Sequence, residues 1–164
     1  MSRGRRFTFY RWDNTRDILW VGEAPTKKAA LELAVREGTD LAGIDLKHTR
    51  LTRAQLASAR FRGGNLTGAN LHGANLYCAD LSRADLREAN LRKAQLQGAD
   101  LTDADLWCAN ASGANFTDSI FTNTHLLGTQ LKGVCLSIVV LADGGCYPAT
   151  LEDGTLEQWA RRPQ

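Results

Sequence analysis

Three side chains in the second half of the chain have the chemistry of a nucleophilic catalytic site: Asp105, Cys108 and His125. In such a site a thiolate attacks, a histidine takes the proton and a carboxylate orients the histidine. Twenty residues separate Asp105 from His125, a spacing that stacks them in the repeat described below. Cys108, however, would lie roughly 10 Å from Asp105 along an extended strand. Proton transfer needs a distance of about 3 Å, so the sequence predicts no enzyme.

The cysteines fit no metal or disulfide pattern either. The chain has four cysteines: Cys78, Cys108, Cys135 and Cys146. None of them are in a CxxC spacing, whereas structural zinc sites use closely spaced ligands. We therefore expect reduced thiols that fill small positions, no metal and no cofactor.

The residues around these side chains repeat with a period of five. Twenty pentapeptides run from residue 39 to 138 without insertion or deletion, and sixteen of their central residues are Leu. The position two before the centre is Ala in twelve repeats, and the position one before it is Asp or Asn in twelve. A period of five fits neither a helix nor a strand, so it predicts a solenoid whose repeats bury a core only by stacking. Leu and Ala would fill that core, and Asp or Asn would bond backbone N–H groups at the corners.

This A(D/N)LxX motif, which covers about 100 of the 164 residues, resembles the pentapeptide repeat family. The resemblance implies an all-β solenoid, a right-handed quadrilateral β-helix with four pentapeptides per coil and about five coils. Residues 1–38 are predicted to form an N-terminal β-hairpin and helix cap, because alternating residues precede a helix signal from Thr26 to Gly38. Residues 39–138 are predicted to form the β-helix, and residues 139–164 are predicted as a C-terminal capping segment with a hairpin.

Composition limits the functional classes. With 164 residues and 43% apolar content, the chain is the size of one ordinary domain. No apolar stretch approaches a membrane span, and the basic start has no apolar signal core, so we expect a cytoplasmic protein without a membrane partner. The segment before the repeats also resembles that of some bacterial and phage pentapeptide proteins.

Charges are segregated if residues twenty apart stack. We name as the basic face the five pentapeptides 49–53, 69–73, 89–93, 109–113 and 129–133, which contain no Asp or Glu. Its outward basic residues are Arg50, Arg53, His72, Arg92, Lys93 and Lys132. Such a face could meet nucleic acid or an acidic partner, or could simply keep the protein soluble.

The family resemblance also implies a second function, because some members resemble B-form DNA and bind type II topoisomerases. That mimicry needs a strongly acidic surface. The repeat region holds nine acidic against ten basic residues, which disfavours a topoisomerase partner. We therefore predict a non-enzymatic rigid scaffold or protein-interaction module with an unidentified protein partner. Topoisomerase regulation and binding of nucleic acid or an acidic partner rank behind it as alternatives, and a homodimer is open.

Two aromatic residues interrupt the polar exterior. Trp107 is predicted to point outward between Arg87 and Leu127, and Tyr77 to point outward on a nearly uncharged face. Trp and Tyr are favoured anchors of protein interfaces, so Trp107, Leu127 and Tyr77 are the predicted docking residues. A cap folded over Trp107 is the competing interpretation.

Overall fold

A computed structural model describes residues 4–13, 17–140 and 146–150 of the chain, with side chains described up to residue 136. The elements are β1 (Arg5–Tyr10), β2 (Ile18–Ala24), α1 (Lys27–Arg36), β3 (Cys135–Val140) and β4 (Cys146–Thr150). β1 pairs with β2 and β3 with β4, both antiparallel. The long segment between α1 and β3 is the repeat region.

The N-terminal elements follow their sequence signals. Phe9 and Trp20 face each other across the β1–β2 hairpin with ring centroids 5.7 Å apart, and both are buried. α1 begins after Thr26, whose hydroxyl accepts a hydrogen bond from the Ala29 backbone N–H at 3.1 Å. This contact satisfies one of the free donors at the helix start. The predicted hairpin and helix are therefore both present.

Single-residue parallel bridges, twenty residues apart, connect the repeats. They begin with Asp40 to Arg60 and end with Asn115 to Cys135. The predicted stacking of residues twenty apart is thus observed. Continuous strands do not form over residues 40–134, because each bridge residue is followed at once by a tight turn.

Each turn begins at the central residue of a pentapeptide. In one example the Ala54 N–H donates to the Leu51 oxygen at 3.0 Å, and Arg53 between them has φ 54°, as in a type II turn. Within the described ranges, non-glycine residues take this left-handed conformation eleven times, with φ between 53° and 60°. An L-residue there costs roughly 1–2 kcal/mol, so the stacked ladders and the core must offset that cost.

The core is narrow and almost entirely apolar. The central Leu residues and the Ala residues two positions before them are almost all fully buried, and burying one Leu stabilises the fold by roughly 1.5–3 kcal/mol. Ala111 occupies a central position and is also buried. Phe116 and Phe121 follow it with ring centroids 5.1 Å apart in an edge-to-face arrangement.

Asp and Asn before the central residue support the turns as predicted. The Asp85 Oδ1 accepts the Arg87 backbone N–H at 3.1 Å, and Asn75 Oδ1 accepts that of Tyr77 at the same distance. The contact recurs along the repeat region. The first role of these carboxylates and amides is structural, because each bonded side chain satisfies a backbone N–H donor that the turn leaves free.

The hairpin and α1 contact the first repeats. The Tyr10 carbonyl accepts the Asp45 N–H at 3.1 Å, and Glu32 Oε1 accepts the Gln55 N–H at 2.9 Å. Both donors lie in the first twenty residues of the repeat, where no earlier repeat can accept from them. The two contacts therefore satisfy backbone groups that would otherwise form an open edge.

At the other end, the last pentapeptide enters β3 at Cys135 instead of forming another turn. Residues 138–140 are β-branched, which favours a strand. β3 and β4 form the predicted C-terminal hairpin. Its connection at 141–145 and the segment 151–164 lie outside the described residues.

Candidate partner-docking surfaces

Trp107 and Leu127 lie on the outer wall one above the other. The Glu88 N–H donates to the Trp107 oxygen at 2.9 Å, and the Cys108 N–H donates to the Leu127 oxygen at 3.0 Å. These ladder bonds place Arg87, Trp107 and Leu127 in consecutive layers, as predicted. Trp107 is 41% exposed and Leu127 59% exposed. The ladder bonds Trp107 to the layer of Arg87 and Leu127 to the layer of Trp107, so the two side chains stand on a hydrogen-bonded wall and form an apolar patch, which we call the Trp107 patch.

Charged groups border this patch. Arg87 donates to Asp85 through Nε at 2.8 Å and through Nη2 at 2.6 Å, and its Nε lies 3.9 Å from Asp105 Oδ2. His125 Nδ1 lies 3.9 Å from Asp105 Oδ1. Asp105 also accepts the Trp107 backbone N–H at 2.9 Å. The Trp107 backbone is therefore anchored to a carboxylate that stands beside the patch.

The same pairs shift two pKa values. Burial by itself raises the pKa of the Asp85 carboxyl, but hydrogen bonds from Arg87 and Thr67 outweigh it, so the pKa is lowered. The hydrogen bond and the charge of Asp85 in turn raise the pKa of Arg87. The ion pair next to the patch therefore stays charged at neutral pH.

Tyr77 is not part of the Trp107 patch. Tyr77 is 54% exposed. It stacks in the column of residues 57, 77, 97 and 117, which is offset by two pentapeptides along the sequence from the column of Trp107. The pKa of Tyr77 is raised, first by a hydrogen bond with the Cys78 side chain and second by the charge of Cys78. The three predicted docking residues thus divide into two separate places.

The basic face consists of stacked pentapeptides, as expected. Five of its six basic residues are exposed and His72 is half-buried: Arg50, Arg53, Arg92, Lys93 and Lys132. Sequence reasoning missed that α1 adds to this face. Lys27 Nζ donates to Thr49 Oγ1 at 3.2 Å, and Lys28 Nζ donates to the Thr52 carbonyl at 3.4 Å. The unused signal was the pair of lysines at the start of the predicted helix.

Sequence reasoning also missed exposed apolar residues of the N-terminal hairpin. Tyr10, Trp12, Ile18 and Val21 are between 39% and 58% exposed. The alternating pattern that predicted this hairpin also implied an outward face. Trp12 is held in place, because its Nε1 donates to the Gly63 carbonyl at 2.6 Å.

One step of the sequence argument about Asp105, Cys108 and His125 was wrong. Asp105 and His125 do stack, with the 3.9 Å approach given above. Cys108, however, lies in a turn at φ 55°, not farther along an extended strand. Among the described residues no His, Cys, Asp and Glu side chains form a group of three or more that could hold a metal ion.

The three described cysteines have free thiols, as expected of reduced cysteines, and their side chains are exposed. Cys78 and Cys108 occupy the left-handed turn position, and Cys135 lies at a bridge. All three are free and exposed, while the side chain of Cys146 lies outside the described part. Within the described ranges, no helix has the length and apolar character needed to cross a membrane.

The comparisons with known proteins agree with this geometry. The family model of pentapeptide repeats matches eight copies, over residues 37–68, 65–103 and 99–137. Among solved structures, the pentapeptide repeat protein Rfr23 from the cyanobacterium Cyanothece 51142 is 41% identical, with a TM-score of 0.53; the match covers 54% of this chain and 60% of Rfr23. No match to a functionally curated protein was found.

A second solved structure is HetL, a pentapeptide repeat protein involved in heterocyst differentiation regulation from Nostoc sp. strain PCC 7120. It is 28% identical, with a TM-score of 0.51, and the match covers 65% of this chain and 55% of HetL. The chain thus spans 55–60% of the length of these two relatives. The family match covers more than half of the chain and the solved relatives share its stacked β-helix, so the chain belongs to the pentapeptide repeat family.

Proposed function

We propose that the protein is a non-enzymatic, rigid protein-interaction module whose partner docks on the Trp107 patch. The observation that carries the proposal is the exposure of Trp107 and Leu127 in adjacent layers of one ladder. An exposed Trp on a rigid wall loses little conformational entropy on binding and offers a large contact area. Family members are generally non-enzymatic structural or interaction proteins, which supports this class of function.

The border of the patch indicates what the partner presents. The Trp107 face, residues 44–48, 64–68, 84–88, 104–108 and 124–128, holds four acidic and two basic residues. One of the basic residues, Arg87, is already engaged with Asp85 and Asp105. A complementary partner therefore offers an apolar side chain flanked by positive charge.

We further propose that this wall belongs to a right-handed quadrilateral β-helix of about five coils in residues 39–138. Residues 1–38 and 139–164 would cap its two ends. Bridges twenty residues apart, with four turns in each twenty, support the coil geometry. A cytoplasmic location stays a prediction, and a second copy of the chain is the alternative occupant of the Trp107 patch.

Affinity capture with matched variants tests the docking proposal. We expect a partner that wild type retains to be lost with both Trp107→Ala and Leu127→Lys, and kept with Tyr77→Ala. All three side chains are exposed, so the melting temperature should change little and unfolding would not explain a loss. Retention of every partner by Trp107→Ala would contradict the proposal. Sedimentation of wild type and Trp107→Ala tests the homodimer.

A further inference from the structure

The basic face continues beyond the repeats onto α1. Lys27 and Lys28 reach Thr49 and Thr52, which belong to the first pentapeptide of the face. The cations therefore run from α1 through the first and third layers to Lys132 in the last. Four steps of about 4.8 Å separate the first layer from the last, which makes the row roughly 19 Å long without α1.

Most of these cations have no anionic partner in the part of the chain that the structure describes. Among the residues that the structure describes, none of the exposed cations of the basic face forms an ion pair: Arg50, Arg53, Arg92, Lys93 and Lys132. On the other faces, by contrast, Arg83 and Arg87 pair with aspartates. Two carboxylates stand at the borders of the face: Glu32 lies 4.0 Å from Lys28, and Glu88 lies in the turn before the third pentapeptide. The charge of the face is thus available to an external anion.

The chemistry of the face distinguishes among polyanions. The exposed large apolar residues of the described chain all lie elsewhere: Tyr10, Trp12, Ile18, Val21, Tyr77, Trp107 and Leu127. A protein partner needs apolar anchors, and single-stranded nucleic acid needs aromatic side chains for its bases to stack on. Duplex phosphates need only cations and hydrogen-bond donors. We propose that the basic face and Lys27 bind the phosphate backbone of duplex nucleic acid, without sequence preference.

The size of the row sets the expected strength. A duplex carries one phosphate per about 1.7 Å of axis, counting both strands, so about eleven lie along 19 Å and fewer than half face one wall. Contacts to about three to five phosphates give a slope of log affinity against log salt of about −2.7 to −4.5. Affinity should therefore fall about 40- to 500-fold between 50 and 200 mM salt. Dissociation constants at physiological salt should be of order 10⁻⁴ to 10⁻⁶ M.

Fluorescence anisotropy with a labelled 20-base-pair DNA duplex tests the proposal, with the full chain titrated at several KCl concentrations. The test variant is Arg92→Glu with Lys93→Glu, for which we expect at least tenfold weaker binding. Lys93 has φ 56° and Glu88 already occupies the equivalent turn position at φ 59°, so the backbone accepts Glu there. Lys27→Gln should make the salt slope shallower by about one.

The matched control is Arg60→Glu with Arg62→Glu. These two exposed arginines lie on the opposite face, and either double variant changes the formal net charge from +2 to −2. We expect the control to bind the duplex less than threefold more weakly than wild type, because binding depends on the position of the charges and not on the net charge. Trp107→Ala should leave duplex binding unchanged, which separates this proposal from the docking proposal.

Several results would overturn the inference. One is no binding of wild type to the duplex at 50 mM KCl. A second is an equal loss with the two double variants, which would make net charge the only determinant. A third is tighter binding to the labelled single strand or to polyglutamate than to the duplex, which would assign the face to another class of partner.

Discussion

Gly68 is a turn glycine whose replacement reports on packing between layers. Its φ is +61°, and a methyl group there would overlap Nδ1 of His48, with Cε1 of the same ring at 2.7 Å. His48 lies twenty residues earlier at the same turn position. Gly63 is the matched control, because its φ is +62° and an added Cβ would meet no atom within 4 Å. Gly68→Ala and Gly63→Ala therefore differ in the contact with His48.

The magnitudes follow from two terms. Placing Ala at a left-handed position costs about 1–2 kcal/mol, which applies to both variants. His48 is exposed and can escape the methyl by a strained rotamer at about 0.5–1.5 kcal/mol. We expect Gly63→Ala to lower the free energy of unfolding by about 1–2 kcal/mol and Gly68→Ala by about 1.5–3.5 kcal/mol.

Urea denaturation followed by circular dichroism measures these differences, with His48→Ala and the double variant His48→Ala/Gly68→Ala completing a cycle. The double variant should recover the rotamer cost, so that the coupling energy is about 0.5–1.5 kcal/mol. Equal costs for Gly63→Ala and Gly68→Ala, or no recovery in the double variant, would refute the idea that turn side chains lean over the next layer.

Three further predictions concern the core, the Asp85 ion pair and charge. Gly64→Ala should destabilise by about 1–3 kcal/mol, although Ala is the usual residue there, because its Cβ would meet the Phe61 carbonyl at 2.9 Å and Ile44 Cγ2 at 3.3 Å; a gain in urea midpoint would contradict this packing. Because the pKa of Asp85 is lowered in the folded state, its ionised carboxylate stabilises the fold above the unfolded pKa, near 3.9. This stabilisation is lost as the pH falls through the folded pKa. Asp85→Asn should therefore lower the melting temperature at pH 7 and lose this difference in acid; an unchanged difference at pH 2 would argue against it. Finally, with nine acidic and ten basic residues in the repeats, micromolar protein should not alter gyrase supercoiling, and clear inhibition or protection would reverse that view.

Sequence reasoning succeeded where a local rule repeats. The period of five predicted that Asp105 stacks with His125 and Trp107 with Leu127. The pattern specifies this register strongly, because a single register error would shift every later layer. The Thr26 cap predicted the start of α1, since a hydroxyl before a helix satisfies a free N–H. The predicted extended backbone at Cys108 was wrong. A turn follows each central residue and depends on the φ angle, which the period of the sequence does not reveal.

The sequence alone determined the register, the buried Leu and Ala positions and the family, because those depend on which residue types recur at which spacing. Only the tertiary structure decided how α1 joins the basic face through Thr49 and Thr52. It also revealed that Gly68 makes room for His48. The physical reason is that these contacts join residues about twenty positions apart or connect α1 to the repeats, so they depend on how layers and elements meet in space.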